Sequence, residues 1–212
     1  MRKLLLIPIL CALSYSIFGQ SRAALKLAPS LSFNRVSATS DTLQFSSQGA
    51  AGRFIFGPML EFPLGSSNGN FITGLLYAPK RVGIKVRGQE GSVSYREIYK
   101  LQYLQVPGIV SLYTDEISLD TRLYFNAGIV LEFKISQKLN QPDQIFISHF
   151  KNLNWSSVLG MGVEFAQGTS TVIAIGLGYH RSLNSVVSEH LRVDGELLIK
   201  PDVLSLDFTV WF

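Results

Sequence analysis

Eight stretches of this chain alternate apolar and polar side chains with a period of two, which predicts strands that each carry one apolar face. In the first, Leu25, Leu27, Leu31 and Phe33 share a face, and Lys26, Ala28, Ser30, Ser32 and Asn34 share the other. In the second, Phe54, Phe56, Leu60 and Phe62 oppose Arg53, Gly57 and Glu61. The third sets Phe71, Leu75 and Tyr77 against Gly74 and Ala78, although Ile72 and Leu76 blur the split. The fifth sets Leu123, Phe125, Ala127, Ile129, Leu131 and Phe133 against Arg122, Tyr124, Asn126, Gly128, Glu132 and Lys134. The sixth opposes Leu159, Met161, Val163 and Phe165 to Ser156, Gly160, Gly162 and Glu164. The seventh opposes Ile173, Ile175, Leu177 and Tyr179 to Ala174, Gly176, Gly178 and His180. The last opposes Leu204, Leu206, Phe208, Val210 and Phe212 to Ser205, Asp207, Thr209 and Trp211.

The polar connections between these stretches fall at about 35–52, 64–70, 80–97, 114–118, 135–154, 167–170 and 182–201, alternately long and short. That rhythm matches an up-and-down barrel in an outer membrane, with short periplasmic turns and longer outside loops. The fold class expected is therefore all-β: an eight-stranded antiparallel up-and-down transmembrane β-barrel. Closure of the barrel pairs every backbone polar group, as a bilayer demands.

The non-apolar faces agree with a narrow barrel. Glycines and small residues there let opposite walls approach, and charges of both signs recur. Lys26, Arg53, Arg122 and Lys134 are expected to pair inside with Glu61, Glu132, Glu164 and Asp207, since unpaired buried charge is costly. A barrel of about eight strands holds side chains and leaves no wide channel. Aromatic side chains gather toward strand ends: Phe33, Phe54, Tyr77, Tyr99, Phe133, Trp155 and Tyr179 near the outer rim, and Phe62, Phe71, Phe165 and Phe212 near the periplasmic rim. Two girdles of this kind are expected at membrane interfaces.

The fourth stretch is the exception. Tyr99, Leu101 and Tyr103 suggest one outward parity, whereas Leu104, Val106, Val110 and Leu112 suggest the other. A bulge is expected to switch it. Pro29, Pro58 and Pro107 each remove a ladder donor, so bulges or strand breaks are expected near them.

The ends add a compartment. Arg2 and Lys3 precede an almost wholly apolar run from Leu4 to Phe18, and small Gly19 precedes Gln20, so residues 1–19 read as a signal peptide and 20–212 as the barrel domain. The run is short of the ~20 residues of a transmembrane helix. The one cysteine, Cys11, lies within the signal, and Leu10 before it is too large for a lipoprotein site, so thiol and disulfide chemistry are excluded from the mature chain. Loss of Arg2 and Lys3 lowers the formal charge from +4 to +2, with no basic stripe of the nucleic-acid-binding kind.

The segment Leu101-Gln102-Tyr103-Leu104-Gln105-Val106-Pro107 resembles the YLxxP strand of the PorT-like outer-membrane barrel family of Bacteroidetes. Gly74-Leu75-Leu76-Tyr77, Gly160-Met161-Gly162-Val163-Glu164 and Leu177-Gly178-Tyr179 followed by Ser182-Leu183 are similar to other strands of that family, and the chain ends on Phe212 as many proteins inserted by the barrel-assembly machinery do. After the proline, Gly108-Ile109-Val110-Ser111 is less continuously apolar than in the family. The resemblance implies a Gram-negative host, an eight-stranded outer-membrane barrel and an association with type IX secretion. It brings no catalytic motif.

No catalytic, cofactor or metal site is expected. His180-Arg181-Ser182 resembles the His-x-Ser pair of lipid A deacylases, with Glu189 or Glu196 as the acid, but parity puts His180 and Ser182 on the glycine face, away from lipid. His149 and His190 lack the spacing of metal ligands. The Gly-x-Gly pairs Gly160/Gly162 and Gly176/Gly178 lack a nucleotide-binding context and fit barrel packing. Lys80, Arg81, Lys85 and Arg87, with Arg96 and Lys100 nearby, form a basic cluster in an outer loop that would attract lipopolysaccharide headgroups. The function expected is a non-enzymatic outer-membrane barrel, structural or docking a protein partner through its outer loops. The partners expected are outer-membrane lipid and lipopolysaccharide, and the barrel-assembly machinery during insertion. A lipid A-modifying barrel enzyme and a soluble lipocalin-like barrel are the alternatives.

Overall fold

The computed structural model describes residues 21–39, 43–65, 68–88, 94–140, 146–168, 170–190 and 196–212. The expected signal peptide, with Cys11, lies outside the described residues. Among the described residues twelve strands form: β1 (Arg22–Ala38), β2 (Leu43–Ser47), β3 (Ala51–Pro63), β4 (Gly69–Gly74), β5 (Leu76–Gly88), β6 (Ser94–Tyr113), β7 (Thr121–Asn140), β8 (Ile147–Phe150), β9 (Leu153–Gln167), β10 (Thr171–Ser182), β11 (Val187–His190) and β12 (Leu197–Trp211). Ten make one antiparallel sheet in the order β1-β12-β10-β9-β7-β6-β4-β3-β5-β2, and β8 pairs with β11 in a separate ribbon. β1 pairs with β12 on one side and with β3 on the other, so the sheet returns on itself as a barrel. Closure is uneven. The β1–β3 ladder covers only Arg22–Ser32, while β1 continues along β12 to Ala38.

Two prolines explain one of the breaks that turn eight expected strands into more elements. Pro58 on β3 and Pro107 on β6 approach the same Gly74–Leu75 junction from opposite sides, where β4 gives way to β5. Each proline removes a donor from its ladder. The Leu75 N–H still reaches the Pro58 carbonyl at 3.0 Å. Gly57, at φ +154°, is required here, since a Cβ would overlap the Leu75 carbonyl oxygen. Pro29 coincides with a gap at Ala28–Pro29 in the otherwise constant β1–β12 register.

Burial follows parity as the pattern predicts. Leu25, Leu27 and Leu31 face out and Ala24, Ala28, Ser30 and Ser32 face in, and the same division holds for β3, β7, β9, β10 and β12. Ile72 and Leu76 point inward with Gly74 and Ala78, so the third stretch keeps one parity.

β6 also keeps one parity, contrary to the expected switch. Tyr99, Leu101, Tyr103, Gln105, Ile109, Ser111 and Tyr113 are all buried inside. Leu104, Val106, Val110 and Leu112 face out. The bulge lies in the partner strand, where Gln102 pairs with Ser136 and Tyr103 with Lys134, leaving Ile135 over. What changes along β6 is polarity. Below Leu104 apolar groups point outward; above it they point inward, and Gln102, Lys100 and Arg96 point outward.

The long connections are correspondingly shorter than expected. Most of 80–97 is the continuation of β5 and β6 as a ribbon, and 135–154 and 182–201 contain the ends of β7 and β10 together with β8 and β11. The short connections between β3 and β4, β6 and β7, and β9 and β10 fall where the pattern puts them. Asp120 takes a left-handed conformation (φ 55°) in the second, which an Asx side chain tolerates.

Candidate functional site

The barrel interior is filled in layers. At the short-turn end an apolar cluster includes Ala24, Ile55, Met59, Ile72, Ile109, Tyr113, Tyr124 and Trp211. Its cavity is about 30 Å³, lined by Lys26, Tyr113, Tyr124, Asn126, Glu164 and Asp207 among others, which is room for about one water molecule. Three ion pairs rim this layer: Lys26–Asp207 at 2.6 Å, Arg122–Glu164 at 2.9 Å and Arg22–Glu61. Glu61 also accepts from Tyr113 Oη at 2.6 Å and Asn70 Nδ2 at 2.6 Å.

Above it sits a fully buried polar layer. Lys80 Nζ donates to both carboxylate oxygens of Glu132 at 2.7 Å, and Gln105 Nε2 donates to Oε1 at 2.8 Å. Lys80 also stands over the Tyr103 ring, 5.6 Å from its centroid, and Asn154 Nδ2 donates to Tyr103 Oη at 3.1 Å. The tight carboxylate pairing and the aromatic face supply what a buried ammonium needs.

The long-connection end is closed by a second apolar cluster. Val82, Ile84 and Val86 of β5, Tyr99, Leu101 and Tyr103 of β6, and Leu197 and Ile199 of β12 pack inward against Phe146, Ile147, Phe150, Val186 and Val187. The last five belong to the β8–β11 ribbon and its approaches, which plug the barrel. Glu97 pins the plug: its carboxylate is fully buried, accepting from the Phe146 N–H at 2.8 Å and Tyr99 Oη at 2.7 Å. Burial pushes the Glu97 pKa up despite both hydrogen bonds, and burial beside Glu97 raises that of Tyr99.

The singled-out residues fall in separate places. His180 and Ser182 do share the inward face, both buried. They are not joined: Ser182 Oγ donates to the Asn184 carbonyl at 3.4 Å, and neither ring nitrogen of His180 has a protein partner among the described residues. Glu189 lies on the ribbon surface, 68% exposed, 3.3 Å from His149. A nucleophile–base–orienter chain of the kind acyl transfer uses is thus not assembled. No cluster of three metal-ligating side chains occurs among the described residues.

Lys80 corrects an expectation. It is an interior side chain paired with Glu132, and only Arg81, Lys85, Arg87, Arg96 and Lys100 remain outside. Arg53 and Lys134 also differ from the expected pairing. Arg53 bonds the Gly52 carbonyl and Lys134 bonds Gln137 and the Phe150 carbonyl, while Arg22 and Lys80 take their places opposite the acids. Tyr99 leaves the aromatic rim for the upper core. Sequence reasoning missed Glu97, Phe146, Phe150, Val186 and Val187. The apolar residues Phe146, Ile147 and Phe150 inside a supposedly polar loop were the available signal.

The outward surface below Leu104 is a band of large apolar side chains, among them Leu25, Phe54, Phe125, Leu159, Leu177 and Leu206. Phe54, Phe133 and Trp155 stand toward one edge, and Phe165 and Phe212 toward the other. A band of that extent is unstable in water and suits lipid. No helix among the described residues is long and apolar enough to cross a membrane, which leaves crossing to the strands. The sequence profile of the outer membrane protein beta-barrel domain matches residues 18–188. The chain belongs to that family.

Among solved structures, the chain is similar to the outer membrane protein OprG from Pseudomonas aeruginosa, with a TM-score of 0.54 and 12% identity over 90% of this chain and 96% of that one. It is also similar to Neisserial surface protein A (TM-score 0.45, 12% identity, 89% and 99% covered) and to Ail, the attachment invasion locus protein of Yersinia pestis (TM-score 0.40, 14% identity, 91% and 99% covered). The likeness to OprG concerns the fold alone. No curated relative matches the sequence. As an outer-membrane beta-barrel the protein resides in the outer membrane, which sets aside the soluble lipocalin-like alternative. In such barrels the short turns face the periplasm, so the β5–β6 ribbon and the β8–β11 plug lie outside.

Proposed function

We propose that this protein is a sealed, non-enzymatic eight-pass barrel that docks a protein partner outside the cell on its projecting ribbons. The observation that carries this reading is the plug. Phe146, Ile147, Phe150, Val186 and Val187 fill the outer mouth over the Lys80–Glu132 layer, so the connections are spent on a folded surface and not on a pore lining. Counting β2 with β3 and β4 with β5 as single interrupted passes gives the eight. The exposed face of the plug, with Ser148, His149, Ser188 and Glu189, is the docking surface. A photo-crosslinking residue at Ser148 or Glu189 should capture one discrete partner in native cells, while one at Leu112 should not. Steady conductance steps in a planar bilayer, or lipid A acylation that changes on Ser182→Ala, would overturn the reading.

The PorT-like resemblance supports a narrower form, in which the partner belongs to type IX secretion. Deleting the gene in its host should then block export through that route; unimpaired export would remove this narrower form and leave the docking surface.

A further inference from the structure

The outer wall of the β5–β6–β7 ribbon carries a ladder of like charges. Arg81 lies directly across from Lys100, and Lys100 directly across from Lys138, on three adjacent strands. Four residues further out on β5 and β6, Lys85 lies across from Arg96, with Arg87 beyond. Directly opposed residues on neighbouring strands have Cβ atoms about 5 Å apart, and like charges there oppose pairing. None of these six side chains makes an ion pair among the described residues, and Arg81 Nε is a buried donor with no partner. The described strands around them supply no compensating acid: Glu97 and Glu132 point inward, and β2 and β5 contain none. An external anion seated across the three strands would relieve this repulsion.

The height of the ladder identifies that anion. Tyr77, Leu104 and Phe133 form a cross-strand row at the top of the apolar band. Arg81 and Lys100 stand four residues above it, roughly 13 Å along the strand and about 10 Å along the membrane normal at the tilt of such barrels. The headgroup region of a bilayer extends about 5–8 Å beyond the hydrocarbon edge, so the backbone here lies just past it, and the long arginine and lysine side chains reach far enough to bring their charges back into it. We infer that Arg81, Lys100 and Lys138 bind the phosphorylated headgroup of lipid A in the outer leaflet, with Lys85, Arg87 and Arg96 reaching the anionic sugars above it. Arginine suits phosphate through its planar fork, and the lysines add point charges. The inference depends on the membrane position of the barrel and not on the protein-docking reading, so failure of crosslinking at Ser148 or Glu189 leaves it intact.

The test uses the full barrel folded in detergent, with heat-modifiable migration on gels as the check on folding. Lipid A carrying both phosphates should bind the native protein and raise its unfolding temperature, whereas dephosphorylated lipid A should do neither. The variant R81Q/K100Q/K138Q should bind phosphorylated lipid A at least tenfold more weakly. Without lipid A it should unfold at the native temperature or above, because the mutual repulsion is gone. Equal affinity of variant and native protein would overturn the inference, as would equal binding of dephosphorylated lipid A. Inorganic polyphosphate binding as tightly as lipid A through the same three residues would also overturn it, by making the ligand a soluble polyanion.

Discussion

Lys80 Nζ lies 2.7 Å from each carboxylate oxygen of Glu132, and neither side chain has any exposed surface. The two belong to β5 and β7, with β6 between them contributing Gln105 as the only other donor to the carboxylate among the described residues. Removing one partner strands a buried charge, which costs about 3–5 kcal/mol. Lys80→Met should therefore lower the unfolding free energy by about that amount in denaturant titrations of the bilayer-inserted protein. Lys80→Met with Glu132→Leu should restore most of it, since an apolar pair of similar volume removes the stranded charge. Equal losses in the single and double variants would show that the pair does not act as a unit.

Gly162 and Gly176 face each other across β9 and β10, and the Tyr124 ring fills the lumen against them. A Cβ at Gly176 would overlap the Tyr124 hydroxyl and sit 2.5 Å from the Met161 carbonyl oxygen. One at Gly162 would overlap the Ile175 carbonyl and lie 2.5 Å from Tyr124 Oη. Gly176→Ala should thus destabilise by about 1–3 kcal/mol, as overpacking does. Adding Tyr124→Phe should recover only part, because the backbone contact remains. Full recovery would mean that the tyrosine alone demands the glycine.

These glycines were legible as a packing face because the period of two holds through the bilayer, where outside is lipid and inside is crowded. The same rule failed for Tyr99, Leu101 and Tyr103. It equates apolar with outward, and that equation reverses once the strand leaves the membrane: water lies outside and the plug inside. Lys80 was unreadable for a related reason. Its partner is 52 residues away, and only the β5–β6–β7 register brings the two together. The prolines were legible as trouble but not as one defect, since Pro58 and Pro107 converge on Gly74–Leu75 only after the strands are paired.

Glu97 links the plug to pH. Its carboxyl is buried, so its folded pKa lies above the unfolded value. A raised folded pKa means that the stability it contributes is complete below the unfolded pKa and is lost as pH rises through the folded one. The Phe146–Phe150 segment should therefore seat most firmly in acid and loosen as pH climbs. Hydrogen exchange at the Phe146 and Ile147 amides, corrected for intrinsic rates, should show protection falling with pH. Glu97→Gln keeps an acceptor for the Phe146 N–H and should flatten that dependence. An unchanged slope in the variant would assign the effect to another group.

Leu101 and Leu104 lie three residues apart on β6, yet face different media. Leu101 is wholly buried in the upper core, whereas Leu104 points outward in one row with Tyr77 and Phe133. With Cys11, the one cysteine, replaced by serine, nitroxide labels on single introduced cysteines meet no competing thiol. In the folded, membrane-inserted protein, labels at Leu104 and Leu112 should collide with oxygen dissolved in lipid. One at Lys100 should collide with a water-soluble nickel complex, and one at Leu101 with neither. The crossover between Leu104 and Lys100 marks the membrane surface on β6. A lipid signature at Leu101 would restore the outward parity that Tyr99, Leu101 and Tyr103 suggest, and with it an apolar wall where the basic ladder stands.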